Sequence, residues 1–428
     1  MRTILHSDLN NFYASVELLK HPEYKDVPVV VCGNKEDRHG IVLAKNQKAK
    51  EFGVKTGEVL WQARRKCKNN LVEFTADFPS YVRISERVRE IYARYTDMIE
   101  PFGIDECWLD VTGTTRLFGT GEQIAEQIRK AVKEEIGVTV SIGVSYNKIF
   151  AKLGSDMKKP DAITVITPEN YKDTVWKLSA SDLLYVGKAT LEKLKVLGIR
   201  TIGDIAVCDE KILRKLLGVW GTNLYRYANG LDDSPVIQKG AEPLIKSIGN
   251  SMTNYRDLQN FEEVKTIIML LSESVASRLR ESGLGKAKTV KLSVTDNNLL
   301  TCGKQTTLEI PTHSAGDIAR ACYGMFPEIF TWRNHAVRGV GVAVTNFTLG
   351  TEQLTIGFDV ERESKIDRLD HTLDSIREKY GNTAVRRATI LQDERLFYSD
   401  VKGEHIVHPQ SGKEKTTTRD NEDENGLI

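Results

Sequence analysis

Apolar residues in this chain recur with two periods, and the change from one to the other marks out its elements. Residues 3–7 and 28–32 are short apolar, β-branched runs that predict strands, the second of them (Pro-Val-Val-Val-Cys) buried. Residues 12–19, 45–52 and 59–66 have helical spacing, and 80–95 reads as a long amphipathic helix. Residues 98–103 and 107–111 read as two strands joined tightly through Ile104-Asp105-Glu106. A helix over 122–136, a strand over 139–145 and a helix over 147–156 follow. Strands alternating with helices, plus one hairpin, predict an α+β sheet with helices packed on it.

After residue 178 the pattern changes to short helices broken by Gly187, Gly198, Gly203, Gly218 and Gly221, which predicts a small helical domain. Residues 231–242 are polar and contain Gly and Pro, the composition of a linker. Beyond them the periods run β-α-β-β-α-β over 244–250, 261–281, 288–295, 306–310, 315–326 and 337–345, a separate compact module. Ile366, Leu369, Leu373, Ile376 and Tyr380 recur at helical spacing and predict one more helix. From residue 401 the chain is polar and charged, and disorder is expected there. No internal repeat is present.

Composition narrows the class. A chain of 428 residues exceeds one ordinary core, so several domains are expected, and 40% hydrophobic with 28% charged residues describes a soluble globular protein. No apolar run is long enough to span a membrane, and residues 1–12 do not read as a secretion signal. The six cysteines are widely spaced with no Cys-x-x-Cys pair, which argues against a zinc site or a disulfide framework and fits a reducing cytosol. The net charge of +1 conceals a basic stretch: residues 30–70 hold ten Lys/Arg against four Asp/Glu. Phosphate binding needs a basic surface rather than a basic protein, although a solvated face would look the same.

Candidate chemistry sits where apolar strands end in acids. Asp8 closes the first strand, and Asp105-Glu106 lies inside the hairpin between otherwise apolar strands. Carboxylates at neighbouring buried strand ends repel one another and lose hydration unless a cation joins them. Mg²⁺ is held in this way by a few carboxylates and phosphate oxygens, and two such ions can drive an in-line phosphoryl displacement. Taken alone, an Asp-Glu pair reads as a polar turn.

The surrounding sequence decides between these readings. His6–Glu17 (HSDLNNFYASVE), 103–110 (GIDECWLD) and 141–160 (SIGVSYNKIFAKLGSDMKKP) together resemble the Y-family of translesion DNA polymerases, the DinB/UmuC group, in order and separation. The resemblance spans roughly residues 1–381. It implies a right-hand polymerase: palm 1–10 and 78–178, fingers 11–77, helical thumb 179–235, linker 236–243, little finger 244–350, and a C-terminal segment 351–428. It implies template-directed addition of a deoxynucleotide to a primer 3′ end past damaged bases. Asp8, Asp105 and Glu106 match the family's catalytic metal ligands for two Mg²⁺ ions, and Leu9 supplies a carbonyl.

Further roles follow from the same match. Tyr13, beside Phe12, falls at the steric gate, where a ring beneath the sugar excludes a 2′-hydroxyl; without the match both would read as core aromatics. Lys159 falls on the incoming triphosphate, as do Gln47 and Lys50 of the fingers, where the DinB pattern has Tyr and Arg. Leu43 falls at the roof over the nascent base pair. Lys148 and Lys152, one helical turn apart, are DNA-binding candidates or solvated lysines. Residues 183–206 resemble a helix-hairpin-helix, so Gly187 and Lys188 are expected on DNA phosphates, although the usual Gly-Ile-Gly turn reads Tyr185-Val186-Gly187.

Gln353, Leu354 and Phe358 resemble a sliding-clamp-binding peptide, or form a plain connecting strand. The expected partners are primer-template DNA, dNTPs and a sliding clamp, with no membrane, for a cytoplasmic monomer. Two rivals are a scaffold that has lost catalysis and a palm-like cyclase. The intact acids argue against the first, and the helix-hairpin-helix and C-terminal module against the second.

Overall fold

The computed structural model describes residues 1–33, 40–238, 245–333, 335–348 and 360–393, together with Leu396, Asp400 and Lys402. The chain divides into two compact units, one over residues 1–242 and one over 243–406. The expected clamp peptide, part of the linker and most of the polar tail lie outside the described residues.

The first unit begins with β1 (Ile4–Leu9), buried at every position, and α1 (Phe12–Lys20). Then follow β2 (Val29–Cys32), β3 (Val42–Lys45), α2 (Gln47–Glu51), α3 (Leu60–Lys66) and β4 (Val72–Thr75). Strands β3 and β4 flank β2 in a small three-stranded sheet. The helix expected over 45–52 is therefore shorter. Its first residue, Lys45, pairs as strand, and Asn46 caps α2: the Asn46 Oδ1 accepts from the Ala49 and Val29 amides and its Nδ2 donates to the Val27 carbonyl. Strand β4 has no counterpart in the sequence reading; its half-buried Val-Glu-Phe-Thr lacks clear alternation.

Helix α4 (Phe78–Ala93) leads to β5 (Ile99–Pro101) and β6 (Glu106–Asp110), the expected hairpin. Next come α5 (Thr115–Phe118), α6 (Gly121–Glu135), β7 (Val140–Ser145), α7 (Lys148–Met157), β8 (Ile163–Val165) and α8 (Tyr171–Thr174). The main sheet runs β5-β6-β1-β7-β8. One apolar cluster joins Leu5, Leu9 and Ile142 of the sheet to Tyr81, Val88 and Tyr92 of α4 and to Ile124, Ile128 and Val132 of α6. Phe12, Ala14 and Val16 belong to the same cluster, so α1, expected with the fingers, is packed as part of this core.

The helical part consists of α9 (Lys188–Val196), α10 (Ile202–Val207), α11 (Glu210–Leu217) and α12 (Val219–Ala228), with a core of Leu194, Ile202, Ile205, Leu213 and Leu224.

The second unit contains β9 (Ser247–Leu258), α13 (Phe261–Ser282), β10 (Lys286–Asp296), β11 (Thr301–Thr312), α14 (Ala315–Ile329) and β12 (Val337–Thr348), the expected β-α-β-β-α-β order. Its antiparallel sheet runs β11-β10-β12-β9. Val290, Leu292, Val340, Val342 and Val344 face the helices in its core. Helix α15 (Val360–Tyr380) follows, and the short helical turn Ala388–Gln392 contributes Ile390 to that core. Among the described residues no helix is long and apolar enough to cross a membrane.

Candidate active site

Register brings the acids together. In the ladder between β1 and β6, Asp8 stands opposite Glu106, and on its other side opposite Ser141 of β7. The Leu9 amide donates to the Asp105 carbonyl at 3.0 Å, tying the strand end to the hairpin turn. Ser85 of α4 donates to the Ile104 carbonyl and holds that turn from behind. Asp8, Asp105 and Glu106 therefore converge because two adjacent backbone segments, β1 and the hairpin, are fixed against each other, not because the acids attract.

Helix α7 supplies the cations. Gly143 of β7 lets it lie close: a Cβ there would stand 1.9 Å from the Ala151 carbonyl oxygen. That approach directs Lys152 into the carboxylates, with Nζ 2.9 Å from Glu106 Oε2, 3.3 Å from Asp8 Oδ2 and 3.3 Å from Asp156 Oδ2. Lys159 Nζ reaches Asp8 Oδ2 at 2.7 Å and Asp156 Oδ1 at 2.9 Å. The turn carrying Lys159 is held in place: the Asp161 amide donates to Asn10 Oδ1, and Arg129 pairs with Asp161 at 2.7 Å. Three carboxylates, Asp8, Glu106 and Asp156, thus share two ammonium groups, and no lysine or arginine among the described residues pairs with the fourth acid, Asp105.

Electrostatics follow from that imbalance. Burial pushes Asp8 up, against the pull of Lys159 and Lys152. Asp105 is raised by burial and by the neighbouring Glu106 charge. Burial would raise Glu106 as well, but His6 and Lys152 outweigh it and hold the carboxyl below its ordinary range. His6, wholly buried, is lowered to about 4 by burial and stays neutral near neutrality. Its Nδ1 lies 2.8 Å from Ser155 Oγ and its Nε2 3.3 Å from Glu106 Oε2.

Whether these residues suit a metal ion can be judged from their donors. Hard divalent ions take carboxylate oxygens, and all three acids offer them beside one another. Glu106 Oε2 and His6 Nε2 are buried with no well-directed hydrogen bond, an arrangement that leaves a buried acceptor to be satisfied. As they stand, no three acidic, imidazole or thiol groups among the described residues close into a ready-made ligand set, and the Lys152 ammonium lies against two of the acids. The donor chemistry fits, and the cation now among the acids belongs to the protein.

The other expected residues separate into two groups. Tyr13 is half-buried at the start of α1, its ring stacked on Tyr81 at 4.4 Å and 12°, while Tyr81 donates to Glu17 Oε1 at 2.6 Å. Asp105 is close enough to Tyr13 to raise its phenol further, after burial. Gln47 and Lys50 are exposed on α2. Lys45, absent from the sequence reading, joins them: burial and the nearby Lys50 charge lower its pKa. Gly187 and Lys188 are exposed at the start of α9, and Tyr185 adopts φ +74°, so the hairpin keeps its left-handed turn without glycine there. Leu43 is half-buried on β3.

Three expectations are corrected. Phe12 is 3% exposed inside the sheet core and has no face open to a nucleotide. Lys148 is buried: its ammonium donates to both oxygens of Glu100 at 2.7 Å and lies 4.4 Å from the Trp108 ring centre. Lys152 is committed to the acids, as described. Neither α7 lysine is a free cation for DNA, because helical spacing placed both on the face that packs inward.

One surface escaped the sequence reading. Across the second unit's sheet, Gly303, Ser293, Gly341 and Ser251 stand in one register row, with Thr301, Thr295, Gly339 and Thr253 in the next. Beside them run Gln305, Lys291, Ala343 and Gly249. These rows alternate with the valines of the core and contain no carboxylate. The signal was present as Ser/Thr/Gly at every second position, but only the pairing shows that the strands align.

Comparison with known proteins agrees with this arrangement. Residues 7–156 match the impB/mucB/samB family, and residues 245–356 match that family's C-terminal domain. The DNA polymerase IV of Acetivibrio thermocellus is 50% identical over 397 residues, covering 92% of this chain and 99% of its own. DNA polymerase IV 1 of Bacillus subtilis is 34% identical, covering 92% of this chain and 94% of its own. Among solved structures, a chimera of Y-family DNA polymerases shares the fold with a TM-score of 0.70 at 24% identity, covering 81% of this chain and all of its own. DinB of Sulfolobus solfataricus does so at 0.53 and 24%, with the same coverage.

Proposed function

This chain belongs to the impB/mucB/samB family, the DNA polymerase IV-like Y-family, and from that premise we propose that it is a DNA-directed DNA polymerase adding dNMP to a primer 3′ end past damaged bases. The convergence of Asp8, Asp105 and Glu106 on adjoining backbones, with more acid than base, is the observation that carries this reading.

Asp8, Asp105 and Glu106, with the Leu9 carbonyl, would hold divalent ions, two Mg²⁺ by our reading. When bound, such ions supply activation of the primer hydroxyl and neutralisation of phosphate charge. The protein's own groups do the rest. Lys159, Lys50 and Gln47 orient the triphosphate, with Lys45 adding positive charge beside Lys50. The Tyr13 ring, held by its stack on Tyr81, lies under the sugar and leaves no room for a 2′-hydroxyl. Leu43 roofs the nascent base pair.

DNA is gripped without sequence reading. The exposed Gly187 and Lys188 meet backbone phosphates, and the hydroxyl- and glycine-rich sheet face of the second unit accepts close approach of a sugar-phosphate chain. The domain assignment follows: palm 1–10 and 78–178, fingers 11–77 with α1 shared with the palm, thumb 179–235, linker 236–243, little finger 244–350. Gln353, Leu354 and Phe358 serve a sliding clamp, and the enzyme works as a cytoplasmic monomer.

Primer extension with Mg²⁺ on undamaged, abasic and adducted templates tests this. Extension that depends on DNA and on Asp105 is expected. Nucleotide consumption without DNA would favour a cyclase instead.

A further inference from the structure

We propose that Lys152 is the site's resident counter-ion: a tethered ammonium that holds Asp8 and Glu106 together in the free enzyme and that a divalent ion must displace. The inference rests on the metal-holding role given above to those two acids.

Position sets Lys152 apart from an ordinary surface ion pair. Its side chain is 12% exposed, against 30% for Lys159, and its ammonium contacts three carboxylates, two of them metal-ligand candidates on separate strands. Two buried acids on neighbouring strands repel unless a positive charge lies between them. The contact to Glu106 Oε2, 2.9 Å but poorly directed, is electrostatic rather than a well-formed hydrogen bond, so the only directed bond between Lys152 and these two acids that displacement gives up is the long one Nζ donates to Asp8 Oδ2 at 3.3 Å.

The helix also offers Lys152 somewhere to go. Asp156 lies one turn on, its side chain 47% exposed, and already touches Nζ at 3.3 Å. A side-chain rotation toward Asp156 keeps the ammonium paired while leaving the oxygens of Asp8 and Glu106 to another cation. The backbone need not move, since Gly143 holds α7 against β7. Lysine and metal then bind the same oxygens in competition, so the lysine weakens metal binding by the free energy of its own displacement.

The test uses the full chain without DNA or nucleotide, measuring thermal stability and, by calorimetry, binding of MgCl₂ and MnCl₂. Lys152→Met keeps the stem and removes the charge. It should melt at lower temperature without metal, gain more from added metal than wild type, and bind the ion about tenfold or more tightly. Lys152→Arg, which keeps the charge, should bind metal no more tightly than wild type. Equal or weaker metal affinity in Lys152→Met would overturn the proposal. If that variant is unfolded without metal, refolding on adding Mn²⁺ supports the idea and failure to refold refutes it. In the double variant Lys152→Met/Glu106→Gln, recovered stability without metal supports a charge role, and strictly additive losses oppose it. Wild type that shows no divalent binding sensitive to Asp105→Asn would remove the metal reading itself, a separate result.

Discussion

Two clusters of buried charge in this protein are balanced in opposite ways. In the second unit, Arg280, 6% exposed, pairs with Asp374 at 2.7 Å and Asp370 at 3.3 Å, and Arg377 and Arg387 pair with Glu273. Three guanidiniums face three carboxylates, and the Arg280 fork also donates to the His313 carbonyl. In the first unit, Asp8, Glu106 and Asp156 share Lys152 and Lys159, and Asp105 beside them pairs with no lysine or arginine among the described residues. The arginine cluster closes on itself and fastens α15 to α13. The lysine cluster is left with negative charge, built from flexible stems rather than planar forks, and so remains open to another cation. Burial is common to both; balance and rigidity separate a fastener from a site.

The largest expected effect breaks the comparison on the activity side. Asp105→Asn should reduce primer extension by about a thousandfold or more while leaving DNA affinity within about twofold. The same change removes a repelling charge that has no lysine partner, so the melting temperature without metal should hold or rise. A clear fall in stability would mean that Asp105 is paired in a way its contacts do not indicate.

Arg280→Ala should do the reverse. Two carboxylates lose their partner in a buried place, at a cost of about 3–5 kcal/mol by urea unfolding. A loss under about 1 kcal/mol would show that the arginine cluster is as loosely held as the lysine one.

Tyr13→Ala should raise ribonucleotide incorporation by at least about tenfold in single-nucleotide extension, since the stacked ring no longer fills the space beneath the sugar. Unchanged sugar discrimination would place Tyr13 with Phe12 as a core aromatic.

The smallest expected effect concerns DNA. Lys148→Met should leave DNA affinity within about twofold, and its salt dependence unchanged, because that ammonium is occupied by Glu100 and Trp108. A marked loss of affinity with a shallower salt slope would restore Lys148 as a phosphate contact.

Much of this was legible in the residues alone. Apolar runs ending in Asp8 and Asp105-Glu106 reveal acids at strand ends because side-chain period follows directly from backbone geometry. The β-α-β-β-α-β order of the second unit is equally local, and so is the helix over 360–380, apart from its ends. What periodicity could not decide is which atoms meet across elements. Lys148 and Lys152 look alike on one helix face, yet β5 gives one of them Glu100 and β1 gives the other Asp8. Phe12 and Tyr13 are adjacent, yet the core takes one ring and leaves the other half open. The serines, threonines and glycines of the second sheet form a continuous face only once four strands lie in register. A sequence states spacing along one element, which is a local property. Charge balance, ring exposure and alignment between strands arise from pairing distant segments, so the tertiary structure alone decided them.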